Sequence, residues 1–536
     1  MVKLIRILLI LLTITIFVSA GEILTVAESS NYTRTATYDE VIKYIHQLQK
    51  NSPNIMVETM ATSIEGREIP LMIIADPLPK SYRDIKNDTR LVVYIQANIH
   101  AGEIEGKESA LMLARDILQN DKDNFLEDLV ILIAPIFNAD GNEKFSTDNR
   151  KSQNGPALVG VRYNGQNLDL NRDAVKIESP EMEGLITNVL NTWDPALVID
   201  CHTTNGSKHE EPVTFVWATN PNGDTDIIDY SWSELRPFLK KNMKDKFDIM
   251  AVEYGHFTDY KNPGTGWESV GAEIRYIVNY VGLRNRLSLL LENYTYADYK
   301  TRVKGSYAFL YSSLEFCQNN KKQIQKMIAK ADDKTINGLD SFVVEYKTDA
   351  YDEKVTLKSY EMTVTPRKNS PWPKIDYDFE KPRDYVMPYF CKVVATKSVK
   401  YPVGYFINIY DSEVAEKLQQ HEIIVEKLLE DVTTEIEEFK LTEVTTGERL
   451  FQGHYLSSIK GEYQTITKTI PKGSYYVSTK QLHGNLVAYL LEPECKDGLL
   501  KWNFFDRYLV KQWRGLGEYP VYKVYNELRM IKSSVK

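Results

Sequence analysis

The chain has 536 residues, of which 43% are hydrophobic and 26% are charged, and its formal net charge is −9. This length exceeds one average domain, and the apolar content excludes a disordered chain and allows a large buried core. The acidic balance, without a basic stripe, argues against nucleic-acid binding, which requires clustered Lys and Arg.

The first twenty residues have the three parts of a secretory signal peptide. Two basic residues form its charged end, residues 7–17 form its apolar core, and Val18-Ser19-Ala20 forms a small-residue cleavage site. Removal of residues 1–20 takes away two basic residues and no acid, which brings the formal net charge from −9 to −11. We predict a secreted or periplasmic protein with no stable membrane span in the mature chain, and the alternative is an uncleaved N-terminal anchor.

After a polar segment at residues 21–36, the region 37–335 alternates strand and helix patterns. Its predicted strands are short apolar or alternating runs at residues 55–59, 69–74, 91–97, 129–137, 195–203, 214–218 and 288–291. Its predicted helices have apolar residues at helical spacing, at residues 38–50, 102–120, 230–243 and 306–331. This alternation predicts an α/β fold with a mixed, mostly parallel sheet flanked by helices.

The composition changes near residue 343. Short runs rich in Val, Tyr, Thr and Ile then alternate with Gly, Pro and Asn, which predicts a β-rich accessory domain at residues 343–536. We expect one helical patch at residues 414–429 and a packed edge with an aromatic core formed by residues 486–493 and 498–505. This domain has two interpretations, a structural buttress and a module that binds glycan or protein. Four cysteines are too few for a disulfide scaffold, and a Cys391–Cys495 bridge stays open.

Polar side chains stand at the ends of three predicted strands. His100 and Glu103 follow the strand that ends near residue 97, His202 ends a second strand, and Glu292 follows a third. In open α/β sheets, ligands bind beyond the carboxyl ends of the strands. A hydrolytic zinc site needs three protein ligands and an open position for water. A carboxylate that faces this water is placed to act as a general base.

With these residues in their order, the sequence resembles the carboxypeptidase A-like zinc metallopeptidases. The residues that carry the resemblance are His100-Ala101-Gly102-Glu103, Asp169-Leu170-Asn171-Arg172, His202 and Glu292. A single H-x-x-E motif is a weak signal, but the whole ordered set is specific, and the resemblance covers about residues 35 to 330. It implies the fold of that family and a Zn²⁺ ion held by His100, Glu103 and His202.

The resemblance also implies roles for residues around the metal. Asp169 would orient His100, and Glu292 would be the catalytic base. Arg150 would stabilise the oxyanion, although its spacing to Arg172 departs from the type members, and Arg162 is the alternative.

On the substrate side, the resemblance implies that Asn171 and Arg172 bind the terminal carboxylate, which suits the planar fork of Arg. A tyrosine that closes over the substrate stays open between Tyr276 and Tyr280. The residue that selects the substrate side chain is expected between residues 259 and 280.

These expectations combine into a secreted zinc metallocarboxypeptidase that hydrolyses C-terminal peptide bonds with zinc-bound water activated by Glu292. Its substrate would be a peptide or amide with a free carboxylate. One alternative is a zinc amidase that acts on cell-wall peptides or acylated amino acids. Another is a non-catalytic binding protein on the same fold. Such a protein would be expected to lack Glu292 or a metal ligand, and this chain has all of them.

Overall fold

The computed structural model describes residues 23–370, 373–513 and 515–535. The predicted signal peptide therefore lies outside the described residues. No helix in the described ranges is both long enough and apolar enough to cross a bilayer.

The N-terminal two thirds of the chain is built on a central sheet. The strands of this region are β1 (Ile55–Thr62), β2 (Glu68–Ile74), β3 (Leu91–Ala97), β4 (Leu129–Ala134), β5 (Leu197–Thr204), β6 (Val213–Trp217), β7 (Ala251–Glu253), β8 (His256–Phe257), β9 (Trp267–Glu268) and β10 (Leu287–Tyr294). Among the described residues, eight of these strands form one sheet in the order β1-β2-β4-β3-β5-β10-β6-β7. The central strands β4, β3, β5 and β10 are parallel, while β1, β2 and β6 make antiparallel pairs. The sheet is therefore mixed with a parallel centre, as predicted.

Helices cover both faces of this sheet. They are α1 (Val26–Ser29), α2 (Tyr38–Asn51), α3 (Glu105–Gln119), α4 (Phe125–Asp128), α5 (Ala139–Asn142), α6 (Pro180–Gly184), α7 (Asn191–Trp193), α8 (Thr225–Tyr230), α9 (Arg236–Phe247), α10 (Ile277–Leu283), α11 (Tyr299–Asn319) and α12 (Lys321–Asn337). Wider π-helical turns at Leu185–Leu190 and Ser231–Leu235 continue two of them, and short 3₁₀ turns lie at Tyr82–Asn87, Leu170–Arg172 and Pro263–Thr265.

Helix α3 lies directly against the sheet beside the polar loop that precedes it. An added Cβ at Gly106 would lie 2.5 Å from Cys201 Cβ, so only glycine permits this approach of α3 to β5. Every residue of β3 and β4 is buried, which explains why these strands have continuous apolar runs rather than an alternating pattern. The sheet and α3 thus form a rigid support for the loop between β3 and α3.

The C-terminal third is mainly antiparallel β structure, as predicted. Its strands are β11 (Ser341–Ala350), β12 (Val355–Thr365), β13 (Lys374–Met387), β14 (Tyr389–Lys400), β15 (Gly404–Ile407), β16 (Glu426–Leu428), β17 (Val432–Thr446), β18 (Ser457–Ile470), β19 (Tyr475–Ser478), β20 (Val521–Val524) and β21 (Lys532–Ser534). Its helices are α13 (Glu413–Gln420), α14 (Gly484–Leu491) and α15 (Asp506–Leu509).

The C-terminal strands do not pack as a separate body. A sheet in the order β11-β14-β9-β8 joins two of them to two strands from the N-terminal region. One apolar cluster also contains Tyr94 and Val198 from the central sheet together with Leu486 and Trp502. The two regions therefore share a core.

Three predicted elements differ from the structure. The predicted helix 306–331 is two helices that break at Asn320, whose side chain donates 2.9 Å to the Phe316 carbonyl. The first part of the predicted edge, residues 486–493, lies mostly in helix α14. A short apolar run does not show by its periodicity whether it is a buried strand or a buried helix. The patch 414–429 is helical only to Gln420 and then includes strand β16.

Two further details refine the sequence analysis. Glu292 lies within β10, which continues to Tyr294, rather than after the strand as predicted. Cys391 and Cys495 are buried free thiols, as are the other two cysteines.

Candidate functional site

The polar residues singled out in the sequence meet where three parallel strands lie side by side. Strand β5 pairs with β3 on one side and with β10 on the other, and the Cα of Glu292 is in register with that of His202. The loop after β3 carries His100 and Glu103 to the same end of the sheet. The order of the strands thus brings residues almost 200 positions apart into one site.

Three of these side chains converge on one point. His100, Glu103 and His202 are each 3% exposed, and their ligand atoms lie within 4.8 Å of one another. His202 Nδ1 is 3.2 Å from His100 Nδ1 and 3.0 Å from Glu103 Oε2, and His100 Nδ1 is 3.1 Å from Glu103 Oε1. Two imidazole nitrogens and a carboxylate that face a common centre form a donor set suited to Zn²⁺.

Each histidine contacts an aspartate through Nε2, the ring nitrogen that does not face the common centre. His100 Nε2 lies 3.0 Å from Asp169 Oδ1, and His202 Nε2 lies 2.8 Å from Asp200 Oδ2. A proton on each Nε2 leaves both Nδ1 lone pairs directed at the centre, which is the arrangement a metal ligand requires. The residues present therefore fit a zinc ion.

Asp200 was missed in the sequence analysis. It stands two residues before His202 on β5, so both side chains point to the same side of the strand, and that spacing was the available signal. Asp169 was predicted, and the structure places it beside His100. Burial raises the pKa of Asp169, but the hydrogen bond from His100 and the charges of Arg172 and Arg162 outweigh it and hold this pKa well below its usual range.

Glu292 lies at the same cavity as the three convergent side chains. Burial raises the pKa of Glu292 to about 8, against the opposing effect of His202 and with a smaller contribution from the Glu103 carboxylate. A carboxyl group with a raised pKa that faces a group of metal-type ligands is a candidate for proton transfer.

The structure brings both candidate oxyanion arginines to the site. Arg150 donates from one terminal nitrogen to Glu103 Oε1 at 2.8 Å and from the other to the Thr203 carbonyl at 2.9 Å. Arg162 instead binds Asp169, with its Nε 2.9 Å from Oδ2. Arg150 is thus hydrogen-bonded to the Glu103 carboxylate, whereas Arg162 binds Asp169 and lies 3.8 Å from Glu103 Oε1.

Asn171 and Arg172 also line the cavity, and Asn171 Nδ2 lies 3.3 Å from His202 Nε2. The guanidinium of Arg172 lies 4.6 Å from the centre of the Tyr276 ring. Asn171 Oδ1 accepts a 3.2 Å hydrogen bond from the Ile277 backbone. Tyr276 lines the cavity, while Tyr280 is 1% exposed and its hydroxyl lies 2.8 Å from His421 Nδ1. Of the two tyrosines considered from the sequence, the structure therefore brings only Tyr276 to the site.

The cavity has a volume of about 270 Å³. Its lining combines the charged groups described above with the mainly apolar side chains of Tyr254, Val270, Val278 and Leu290. Val270 and Val278 fall within the range 259–280 where the side-chain pocket was expected. A ligand with one anionic end and one apolar group suits this mixed lining.

Comparison with known proteins shows similarity along most of the chain. The family model described as "Zinc carboxypeptidase" matches residues 41–194. Carboxypeptidase 2 of Trichophyton rubrum is 22% identical over 506 residues, which covers 89% of this chain and 87% of that relative. Carboxypeptidase 2 of Trichophyton tonsurans is 21% identical over 481 residues, which covers 86% of this chain and 81% of that relative.

Solved structures also include similar chains. A putative carboxypeptidase A from Shewanella denitrificans OS-217 has 19% identity and a TM-score of 0.39, and the match covers 54% of this chain and 69% of that chain. A metallo-carboxypeptidase from Pseudomonas aeruginosa, in complex with (2-guanidinoethylmercapto)succinic acid, has 15% identity and a TM-score of 0.38. That match covers 54% of this chain and 70% of that chain.

Proposed function

We propose that this chain, whose residues 41–194 match the zinc carboxypeptidase family model, removes C-terminal residues from peptides by water-promoted hydrolysis. The observation that supports this most is the convergence of His100 Nδ1, His202 Nδ1 and the Glu103 carboxylate beside Glu292. We place the activity in residues 37–335, with residues 343–536 as an accessory domain.

We propose that His100, Glu103 and His202 hold the zinc ion. When bound, zinc would supply Lewis acidity, which polarises a scissile carbonyl and makes water more acidic. Asp169 and Asp200, which lie at the two Nε2 atoms, would keep the imidazoles in the tautomer whose Nδ1 is free to bind zinc. Arg150 is placed to neutralise negative charge that develops on the carbonyl oxygen of the substrate.

Glu292 is proposed to move the proton. Its carboxylate takes a proton from the attacking water and delivers it to the leaving amine. The position of Glu292 at the cavity of the three zinc-type ligands supports the role, since a general base must lie within reach of the proton that it takes.

Asn171 and Arg172 are proposed to bind the terminal carboxylate of the substrate. A guanidinium with two parallel N–H groups matches the two carboxylate oxygens. Tyr276 packs against Arg172 and is the tyrosine that we propose closes the site. The mainly apolar lining residues Tyr254, Val270, Val278 and Leu290 would then receive the terminal side chain, which favours apolar residues.

We propose that the protein works outside the cytoplasm, in secreted or periplasmic form. The support is the pattern of charged end, apolar core and small-residue cleavage site in residues 1–20.

The test compares the wild type with Glu292→Gln for zinc content and for trimming of a mixed peptide pool, read by mass spectrometry. We expect zinc in both proteins. Wild type alone should release single C-terminal residues, because loss of the general base lowers the rate by roughly 10²–10⁴-fold. Glu234→Gln, an exchange of an exposed glutamate, is the matched control and should retain activity.

Two results would change the proposal. If both proteins bind zinc and neither trims peptides, cell-wall peptides and acylated amino acids become the substrates to try. Absence of bound zinc from the wild type, even after incubation with the metal, would contradict the site itself.

A further inference from the structure

A tight turn from the C-terminal region contacts the loop that carries Asn171 and Arg172. Phe451 and His454 exchange two backbone hydrogen bonds of 2.9 and 3.0 Å. The two residues between them, Gln452 and Gly453, have positive φ angles of 52° and 83°. This backbone is that of a type I′ turn, which is tight and well defined. We refer to residues 451–454 as the 451 turn.

The 451 turn contacts the loop of residues 169–178, which carries Asn171 and Arg172 and is called here the substrate-side loop, at two points. Gln452 Oε1 accepts a 2.8 Å hydrogen bond from the backbone N–H of Asp169, the residue immediately before the 3₁₀ turn Leu170–Arg172. His454 Nε2 lies 2.7 Å from Glu178 Oε1, at the far end of the same loop. The position of the loop therefore depends on the C-terminal region as well as on the central sheet.

The segment that carries Tyr276 is also anchored to the C-terminal region. Asp497, which is fully buried, accepts hydrogen bonds of 2.9 Å from both the backbone N–H and the Nε of Arg275. The guanidinium of Arg275 also lies 5.4 Å from the Phe451 ring centre and 5.5 Å from that of Trp502. Arg275 immediately precedes Tyr276, so these contacts set the backbone from which the Tyr276 ring projects.

The two anchored segments are in direct contact at the cavity. Arg172 packs against the Tyr276 ring at 4.6 Å, and Asn171 Oδ1 accepts from the Ile277 backbone at 3.2 Å. The zinc-type ligands, in contrast, are carried by β5 and by the loop between β3 and α3, and they hydrogen-bond to residues of the N-terminal region. The C-terminal region thus contacts the substrate-side segments directly, and its link to the zinc-type ligands runs through Asp169, which lies 3.0 Å from His100 Nε2.

We propose that Gln452 and Asp497 are positioning residues that set the geometry of the substrate-carboxylate side of the site. Neither residue lines the cavity. They act through Asp169 to Arg172 and through Arg275 to Tyr276. The accessory region is then part of substrate recognition, which goes beyond a buttress for the fold. This inference rests on the proposed carboxypeptidase function.

The test uses two variants at one position, both compared with wild type after saturation with zinc. Gln452→Met keeps the length of the side chain and removes the acceptor, while Gln452→Glu restores an acceptor oxygen. For an N-acylated dipeptide with a free carboxylate, Gln452→Met should raise KM by about threefold to tenfold, the effect of losing one hydrogen bond. Its kcat should stay within about twofold of wild type, and Gln452→Glu should return KM towards the wild-type value.

Two further comparisons separate this role from general packing. Asp497→Asn should raise KM in the same direction. Gln464→Met, which removes a glutamine that donates to Glu438 in the C-terminal sheet, should leave KM unchanged. Binding of the dipeptide amide, which lacks the carboxylate, should be equal in wild type and Gln452→Met.

The results separate failure of the positioning role from failure of the proposed function. If wild type trims peptides and Gln452→Met leaves KM unchanged, or lowers kcat alone, the positioning role is wrong and the proposed function stands. An equal rise of KM in Gln464→Met would also overturn it, since the effect would then be general. If wild type trims no peptide, the proposed function fails first.

Discussion

At the scale of single residues, the site depends on two carboxylates that contact the Nε2 atoms of the histidines. Asp200 is 1% exposed and lies 2.8 Å from His202 Nε2, and Asp169 has the same relation to His100. A buried carboxylate that accepts from imidazole fixes its tautomer and increases the basicity of the nitrogen that faces the metal. The affinity of the site should therefore depend on residues that do not touch the ion.

We predict that Asp200→Asn lowers zinc affinity by about 10- to 100-fold, the usual effect of losing such a partner. The measurement is competition for zinc with a chromophoric chelator. Asp245→Asn, on the exposed side of α9, is the control and should bind zinc like wild type. Equal affinity in all three proteins would show that Asp200 has no part in metal binding.

At the scale of elements, the N-terminal segment 23–37 is part of the fold. Glu108, which is fully buried on α3, accepts hydrogen bonds from the Thr35 hydroxyl at 2.9 Å and from the backbone N–H groups of Ala36 and Ala27 at 2.8 and 3.2 Å. Removal of the segment would leave a buried carboxylate without these partners, which is costly. We expect the segment to remain in the working protein.

We predict that Glu108→Ala loosens this segment and lowers the free energy of unfolding by about 3 kcal/mol, because three buried donors lose their acceptor. Urea unfolding measures the stability, and limited trypsin digestion should cut faster after Arg34. Glu58→Ala, at an exposed position of β1, is the control. The anchoring role is wrong if Glu108→Ala and the control show the same stability and the same rate of cleavage.

At the scale of the whole molecule, stability should depend on pH through a buried carboxyl group on α6. Glu181 is fully buried, and Asn164 donates to its Oε2 at 3.1 Å. Burial raises the pKa of Glu181 from 4.5 to about 7. Between these values the folded protein holds a proton that the unfolded chain has lost, so the contribution of this group to stability is lost as the pH rises through about 7.

We predict that Glu181→Gln gains stability relative to wild type as the pH rises from 4.5 to 8. The gain should reach about 3 kcal/mol, from roughly 1.4 kcal/mol for each pKa unit. Urea unfolding at both pH values measures it, with Glu183→Gln, on the exposed side of the same helix, as the control. A difference between Glu181→Gln and wild type that does not change with pH would contradict the role of this carboxyl.

Much of the fold was predictable from local patterns. The continuous apolar runs of β3 and β4 and the period of α2 identify buried strands and an amphipathic helix without reference to the rest of the chain. The break at Asn320 and the helical state of α14 were not predictable in this way. In both cases the local pattern is compatible with two structures, an unbroken or a broken helix at Asn320 and a strand or a helix at α14. Packing against distant segments selects one of them.

The sequence by itself determined the mixed α/β architecture and the set of His100, Glu103, His202 and Glu292, since strand ends and polar residues are local features. Their meeting point was expected because parallel strands end at one edge of a sheet. Only the tertiary structure placed Asp200 against His202 and Gln452 against Asp169. The contact of Gln452 joins residues 283 positions apart, and no local pattern encodes a contact that depends on how two whole regions pack together.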